Sequence, residues 1–209
     1  MTCVVGVKSK SGVLLAADSQ FSEPNMARMS TDAKTYSLSE LVAIAYCGSG
    51  RLGQILMYHM RELDDPPVTM DAHEWAVRYF VDHLRGALDQ AGHLHMHRGV
   101  ETLGWSAFLL AVRGRLFSVW EDFDVLEHAL PFDALGSGAE VAMGAMSSLV
   151  GRAHRAKQMP DAKAEEVASA GIAAATEHTS YVGGKVTSVS TIYWTADEKA
   201  LARRILSQR

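Results

Sequence analysis

A chain of 209 residues that is 48% hydrophobic and 21% charged has the balance of a folded globular protein and the length to bury a full core. Its 20 Lys and Arg against 24 Asp and Glu leave a formal charge of −4, which excludes the basic field needed for sequence-independent nucleic-acid binding. No run of about 18 apolar residues suggests a membrane span, no basic and apolar leader opens the chain, and Cys3 and Cys47 read as reduced thiols of a cytoplasmic protein.

Cys3–Lys8 is short, valine-rich and strand-like. The turn signal Ser9-Lys10-Ser11-Gly12 predicts a hairpin into Val13–Ala17, a strand apolar on both faces that ends at Asp18. A polar loop carrying Pro24 and Asn25 follows. Residues 34–38 and 41–47 predict another strand pair, turning at Ser39-Glu40. Continuous apolar strands imply a sheet covered on both sides. Gly48-Ser49-Gly50 breaks the second of these strands. Leu52, Ile55, Leu56, Met60 and Leu63 then fall on one helical face, and Asp64-Asp65-Pro66-Pro67 ends that helix. Val77, Phe80, Val81, Leu84 and Leu88 mark the stripe of a second helix.

Residues 106–112 and 116–120 predict two strands around a tight Arg113-Gly114 turn. After Phe132 comes Gly136-Ser137-Gly138 and a helix that aligns Val141, Ala145 and Leu149. Asp161 is a candidate cap for an alanine-rich helix reaching about His178, stopped by Gly183-Gly184. Residues 186–194 read as a strand and 198–206 as a short terminal helix. Met57, Met60, Met143 and Met146 stand at helical spacing and suit core or subunit packing. The order is strands, two helices, strands, two helices, strand. It suits two layered sheets with paired helices outside, in one domain spanning 1–209, since no linker divides the chain.

Thr2 follows the initiator Met1, and a small second residue normally allows Met1 to be removed. Thr2 then carries a free α-amine beside its hydroxyl. A threonine hydroxyl alone is a poor nucleophile, but an α-amine with a pKa of about 7.7–8.0 accepts its proton near neutral pH. Nucleophile and base then share one residue. Taken alone, the opening Met-Thr is common, and Thr2 reads equally well as the start of a strand. Asp18 ends the strand paired with that of Thr2, and Lys34 opens the next pair. A lysine beside a threonine hydroxyl favours its alkoxide-like form, and a carboxylate holds that lysine charged and oriented. Without that context the two read as a strand-end acid and a surface base.

Residues 1–7, Met-Thr-Cys-Val-Val-Gly-Val, and 12–19, Gly-Val-Leu-Leu-Ala-Ala-Asp-Ser, resemble the opening pattern of proteasome β-subunits and the HslV peptidase, which are N-terminal-nucleophile hydrolases. With Thr2 as the first mature residue, Asp18, Lys34 and Gly48 fall where that family has its acid, its lysine and its oxyanion-binding amide. Gly136-Ser137-Gly138 matches its Gly-Ser-Gly. The resemblance runs from Thr2 to about Trp194. It implies an α+β fold, a four-layer αββα sandwich, and peptide-bond hydrolysis without a metal or other cofactor. It implies that Thr2 is the nucleophile with its own α-amine as base. Lys34 would polarise the hydroxyl, Asp18 orient Lys34, Gly48 N–H hold the oxyanion and Ser137 bond near the amine. Phe21, Asp32, Tyr36, Tyr46, Gly50 and Gln54 would surround the side chain before the cut, with Tyr46 narrowing the floor and Asp32 favouring a basic residue. It further implies peptide or unfolded-protein substrates, a homo-oligomer of stacked rings, and the ATP-dependent unfoldase partner that often feeds such rings.

The chain departs from the β-subunit pattern before Gly183-Gly184. Thr179 stands where the family usually has Asp, and Val182 where it has Ser. The same stretch aligns to the HslV pattern through Glu177 and Tyr181, which points to an HslV-like protein or a divergent bacterial or phage branch. Two alternatives stay open: a catalytically silent ring or scaffold subunit, and an amidase or acyl transferase acting on small amides through the same nucleophile. His93, His95 and His97 alternate as metal ligands do, but lack a partner at a convincing spacing and read as an exposed loop. Cys47 reads as a buried structural thiol.

Overall fold

The computed structural model describes residues 2–23, 26–154, 159–193, 195, 196 and 198, with the backbone alone at 23 and 151–154. In chain order the strands and helices are β1 Cys3–Lys8, β2 Val13–Ala17, β3 Gln20–Glu23, β4 Met26–Met29, β5 Thr35–Ser37, β6 Val42–Cys47, α1 Gly50–Tyr58 and α2 Ala72–Trp75. A π-helical stretch, Ala76–Phe80, joins α2 to α3 Val81–Gln90. Then follow β7 His95–His97, β8 Val100–Thr102, β9 Ala107–Val112, β10 Arg115–Val119, β11 Val125–Glu127, β12 Phe132–Gly136, α4 Ala139–His154, α5 Asp161–His178 and β13 Thr187–Ser190.

Two antiparallel sheets carry the fold, one ordered β12-β1-β2-β13 and the other β11-β10-β9-β6-β5. Alternation along each strand decides which side chain meets which layer. On β1, Cys3, Val5 and Val7 join α4 and α5 in one core, while Val4 points into the space between the sheets. On β6, Val42, Ile44 and Tyr46 face α1 to α3, while Ala43, Ala45 and Cys47 face the other sheet. The result is helices, sheet, sheet, helices: the αββα sandwich that the element order and the resemblance imply. Small residues line the seam between the sheets, among them Ala17, Ala43, Ala45, Ala107 and Ala111. At Gly6 a Cβ would stand 2.7 Å from Leu116 Cδ1, so glycine lets Leu116 fill the seam.

Several local expectations shift. The polar loop after Asp18 contains the β3–β4 hairpin; Pro24 and Asn25 lie outside the described residues. Helix α1 ends at Tyr58, so Met60 and Leu63 follow it, Met60 still fully buried. Val77 is exposed, and the buried positions there are Trp75, Ala76 and Phe80. A π turn holds one residue more than an α turn, which moves the buried phase upstream of it back by one. In α4 the buried stripe is Ala142, Met146 and Val150, one position beyond the expected set. Gly171 on α5 explains the choice: a Cβ there would sit 2.9 Å from Met146 Cγ, so the glycine makes the notch that Met146 fills. Met57 and Met143 are partly buried against the cores.

Asp161 does not cap α5, whose N-cap is Pro160; its carboxylate instead accepts from Ser11 N and Oγ at 3.2 and 2.7 Å. That helix reaches His178 as expected, with Thr179 as its C-cap, ahead of Gly183-Gly184. The last strand is shorter than expected, Thr187–Ser190, and Trp194 and the expected helix beyond Glu198 lie outside the described residues. Strands β7, β8, β11 and β12 were not expected. The turn at Arg113-Gly114 is as expected, with φ of 47° and 72°. No helix among the described residues is long and apolar enough to cross a membrane.

Leu116 is fully buried against Gly6. Leu116→Ala is expected to lower stability by about 2–5 kcal/mol. Urea unfolding should show a lower midpoint at unchanged slope.

Candidate active site

One end of the sandwich gathers the start of β1 and the ends of β2, β6 and β12. Register puts Val4 opposite Ala17 and Cys3 opposite Gly136, so Thr2, Asp18 and Ser137 emerge side by side. Lys34 reaches the same point from just before β5, and its side chain is fully buried.

The Lys34 ammonium is the hub. Its Nζ donates to Thr2 Oγ1 at 2.9 Å, to Asp18 Oδ1 at 3.0 Å and to the Gln20 carbonyl at 2.6 Å. Those acceptors use all the N–H donors of a lysine. Both Lys34 and Asp18 are 1% exposed, so neither charge has water to lean on. Burial pushes the Lys34 pKa below that of an ordinary lysine, against the pull of the Asp18 carboxylate and its hydrogen bond. The Phe21 ring stands 5.0 Å from the ammonium.

Asp18 is held as tightly. Its Oδ1 accepts from Cys3 N at 2.9 Å as well as from Lys34. Its Oδ2 accepts from Gln20 N at 3.0 Å and Gly183 N at 3.3 Å. A carboxylate with that many donors stays in one orientation.

Thr2 is buried, and its backbone nitrogen donates to Ser137 Oγ at 3.3 Å. Its carbonyl accepts from Ser137 Oγ and Gly138 N, each at 3.4 Å. Gly136, at φ 93°, permits this approach, since a Cβ there would lie 2.2 Å from the Thr2 oxygen and 3.5 Å from Cys47 Cβ. The last contact also brings the end of β6 beside Thr2. Met1 lies outside the described residues.

Gly48 follows β6 with φ 104°, and a Cβ would come within 2.5 Å of Ser106 Oγ and 2.7 Å of the Trp105 carbonyl oxygen. Only glycine fits there. Ser49 caps α1 and donates its backbone N–H to Ser106 Oγ at 3.0 Å.

Phe21, Asp32, Tyr36, Tyr46, Gly50 and Gln54 all line one cavity of about 360 Å³, together with residues of β4 and α1 that include Arg28 and Met57. Tyr36 and Tyr46 stack at 5.9 Å, and the missing Cβ of Gly53 leaves room for the Tyr46 ring.

Thr179 Oγ1 donates to Ala175 O at 2.8 Å, within its own helix end, and Glu177 is exposed. Val182 is buried, and its Cγ2 would be 2.9 Å from a Cβ on Gly138. An apolar contact therefore stands at the edge of the Thr2 and Ser137 turn. His95 and His97 belong to an exposed β-hairpin, β7 with β8, in place of the expected loop. Among the described residues no group of three His, Cys, Asp or Glu is placed to hold a metal. Sequence reading missed the Gln20 carbonyl and the Gly183 amide. Both are backbone groups, which side-chain identity does not announce.

This sandwich, with a threonine, lysine and aspartate in contact at one end of its sheets, has the architecture of the N-terminal-nucleophile hydrolases. The chain belongs to the proteasome subunit family, whose model matches residues 1–190. It is similar to BPH of Thiobacillus denitrificans, at 26% identity and TM-score 0.70 over 92% of this chain and 98% of that one. The same protein in complex with epoxomicin gives 24% identity and TM-score 0.70, over 92% and 100%. The fold is shared with HslV from Trypanosoma brucei, at 18% identity and TM-score 0.61 over 91% and 99%. No curated protein matches the chain in sequence.

Two outcomes are expected. Asp18→Asn keeps the shape but leaves Lys34 buried without its partner, and should cost about 3–5 kcal/mol in chemical denaturation, with Lys34→Met in that background restoring part of it. Cys3 and Cys47 are buried, with burial the main cause that pushes their thiols up to about 12 and about 11. Neither thiol should react with iodoacetamide at about pH 8 until denaturant is added, as read by intact mass.

Proposed function

We propose that this protein is a threonine peptidase whose nucleophile is Thr2, exposed as the N-terminal residue when Met1 is removed. The observation that carries the reading is the Lys34 ammonium, 2.9 Å from Thr2 Oγ1 and anchored by Asp18. Family membership supports the N-terminal-nucleophile chemistry.

In this reading Thr2 Oγ attacks the carbonyl carbon of the scissile peptide bond, and its proton passes to the Thr2 α-amine, directly or through a water. The Lys34 charge favours the developing alkoxide. The oxyanion takes the Gly48 N–H, a kind of interaction whose loss typically costs about 10²- to 10³-fold in rate. The tetrahedral species collapses, the C–N bond breaks, and the leaving amine takes the proton. Water then attacks the Thr2 ester, frees the acid and restores the hydroxyl. Ser137 Oγ orients the amine, and Asp18 keeps Lys34 charged and aimed.

The side chain before the cut enters the 360 Å³ cavity. Tyr46 sets its depth. Asp32 draws a basic side chain, and Arg28 in the same wall weakens that pull. The working form is a homo-oligomer of stacked rings in the cytoplasm, each subunit one domain, with peptides or unfolded proteins as substrates and an ATP-dependent unfoldase as the candidate feeder. No step calls for a cofactor. Epoxomicin bound to the Thiobacillus denitrificans protein supports an epoxyketone as the probe.

A second reading, a silent ring subunit, draws on Val182, which places an apolar side chain beside the Thr2 turn. Intact mass separates the two. The peptidase reading expects loss of Met1, a one-to-one epoxyketone adduct, and cleavage of short peptides that falls at least about 10³-fold in Thr2→Ala. Loss of Met1 with neither adduct nor cleavage would favour the silent subunit.

A further inference from the structure

His93 is absent from the chemistry above, yet it touches the residue next to Gly48. Ser49 Oγ accepts from Arg51 N at 3.1 Å and Leu52 N at 3.4 Å as the cap of α1. Those bonds occupy the lone pairs of the hydroxyl and leave its proton to donate. His93 Nε2 lies 3.2 Å from that oxygen. The cap therefore sets the tautomer: the neutral ring accepts at Nε2, and its proton sits on Nδ1. His93 is itself fixed, with its backbone N–H on the Leu88 carbonyl at 2.8 Å and its ring edge-on to His95 at 4.8 Å.

We infer that His93 is a positioning residue: its neutral imidazole, through Ser49, holds the Gly48–Ser49 turn in the orientation that aims the Gly48 N–H, and protonation of His93 releases that turn. The inference rests on the reading of Gly48 as the oxyanion donor.

The physical reason is a clash of donors. A protonated Nε2 can only donate, and the Ser49 oxygen has no lone pair to spare. The imidazolium would also stand at the positive end of the α1 dipole. The charged and titratable neighbours are Arg51 in the first turn of α1, His95 and His97 on β7, and Glu121 after β10. All but Arg51 line one cavity of about 590 Å³ with His93, Gly48, Ser49 and Trp105. Burial first, then His95 and Arg51, push the His93 pKa below the ordinary 6.5. The neutral, holding form therefore prevails at neutral pH, and release belongs to the acid side. Ser106 is the other support of the turn, since its Oγ receives Ser49 N. It does not titrate, so the pH response belongs to His93.

The test pairs a structural readout with a kinetic one, on the full-length protein as it assembles. With glycine and serine labelled by 15N, the Gly48 and Ser49 amide shifts are followed from about pH 5 to 8, alongside the His93 ring signals. The expected result is that both amides move along the His93 titration curve in the wild type and stay still in His93→Gln. Glutamine offers a carbonyl that accepts the Ser49 proton at every pH. Peptide cleavage should then lose its His93-dependent acid limb in His93→Gln. In His93→Leu, kcat should fall about 10- to 100-fold with little change in KM. His93→Leu supplies no acceptor, and rescue by glutamine distinguishes positioning from a general loss of packing. Stationary Gly48 and Ser49 amides while His93 titrates would overturn the inference, as would His93→Leu with wild-type kcat at every pH. Coupled amide shifts in a wild type that cleaves nothing and takes no epoxyketone would remove the peptidase reading and leave the coupling of His93 to the turn standing.

Discussion

One buried ammonium organises this molecule. Placing a lysine where it is 1% exposed is unfavourable unless every donor is met and an opposite charge lies in contact. Lys34 meets that condition with a hydroxyl, a carboxylate and a backbone carbonyl, drawn from the head of β1, the end of β2 and the start of β3. Removing any of them leaves a buried donor without its acceptor. The arrangement is therefore stable only as a whole. That is also what a reacting site requires, because groups that cannot relax independently stay aimed when charge develops.

The sandwich supplies the rigidity. Its seam is packed with alanines, a glycine and leucines, so the sheets lie close and their ends stay in register. Thr2, Asp18 and Ser137 then occupy neighbouring positions, each one residue beyond the end of one of three adjacent strands. Gly48 and Gly136, both at positive φ, are where backbone must approach backbone. Each would drive a Cβ into a carbonyl oxygen or a serine, so these glycines serve close approach more than flexibility.

Much of this was legible in the chain. Valine-rich β1, doubly apolar β2 and β6, and the helical pairs announce a covered double sheet, because burial on both faces erases alternation. Thr2, Asp18 and Lys34 gained meaning through resemblance, and the structure puts them in contact. What stayed hidden has physical causes. Strand β12 is short and carries Asp133 as its second residue, a type that strands disfavour. Helix α4 is rich in alanine and methionine, so two neighbouring stripes fit equally well, and Gly171 on another helix decides between them. The π stretch displaces a phase that single-sequence periodicity assumes constant. The Gln20 carbonyl and Gly183 amide belong to the backbone, where every residue type looks alike.

The hydrogen bond from Gly183 N to Asp18 spans 165 positions of the sequence. During synthesis Thr2 and Asp18 are made early, but the Asp18 carboxylate lacks this donor until Gly183 has been added. At about 5–20 residues per second, the interval is roughly 10–30 seconds. For that time Thr2, Asp18 and Lys34 are present without the last donor to their carboxylate. Topology thus acts as a timer, delaying the full set of bonds around Asp18 until the segment after α5 has been made.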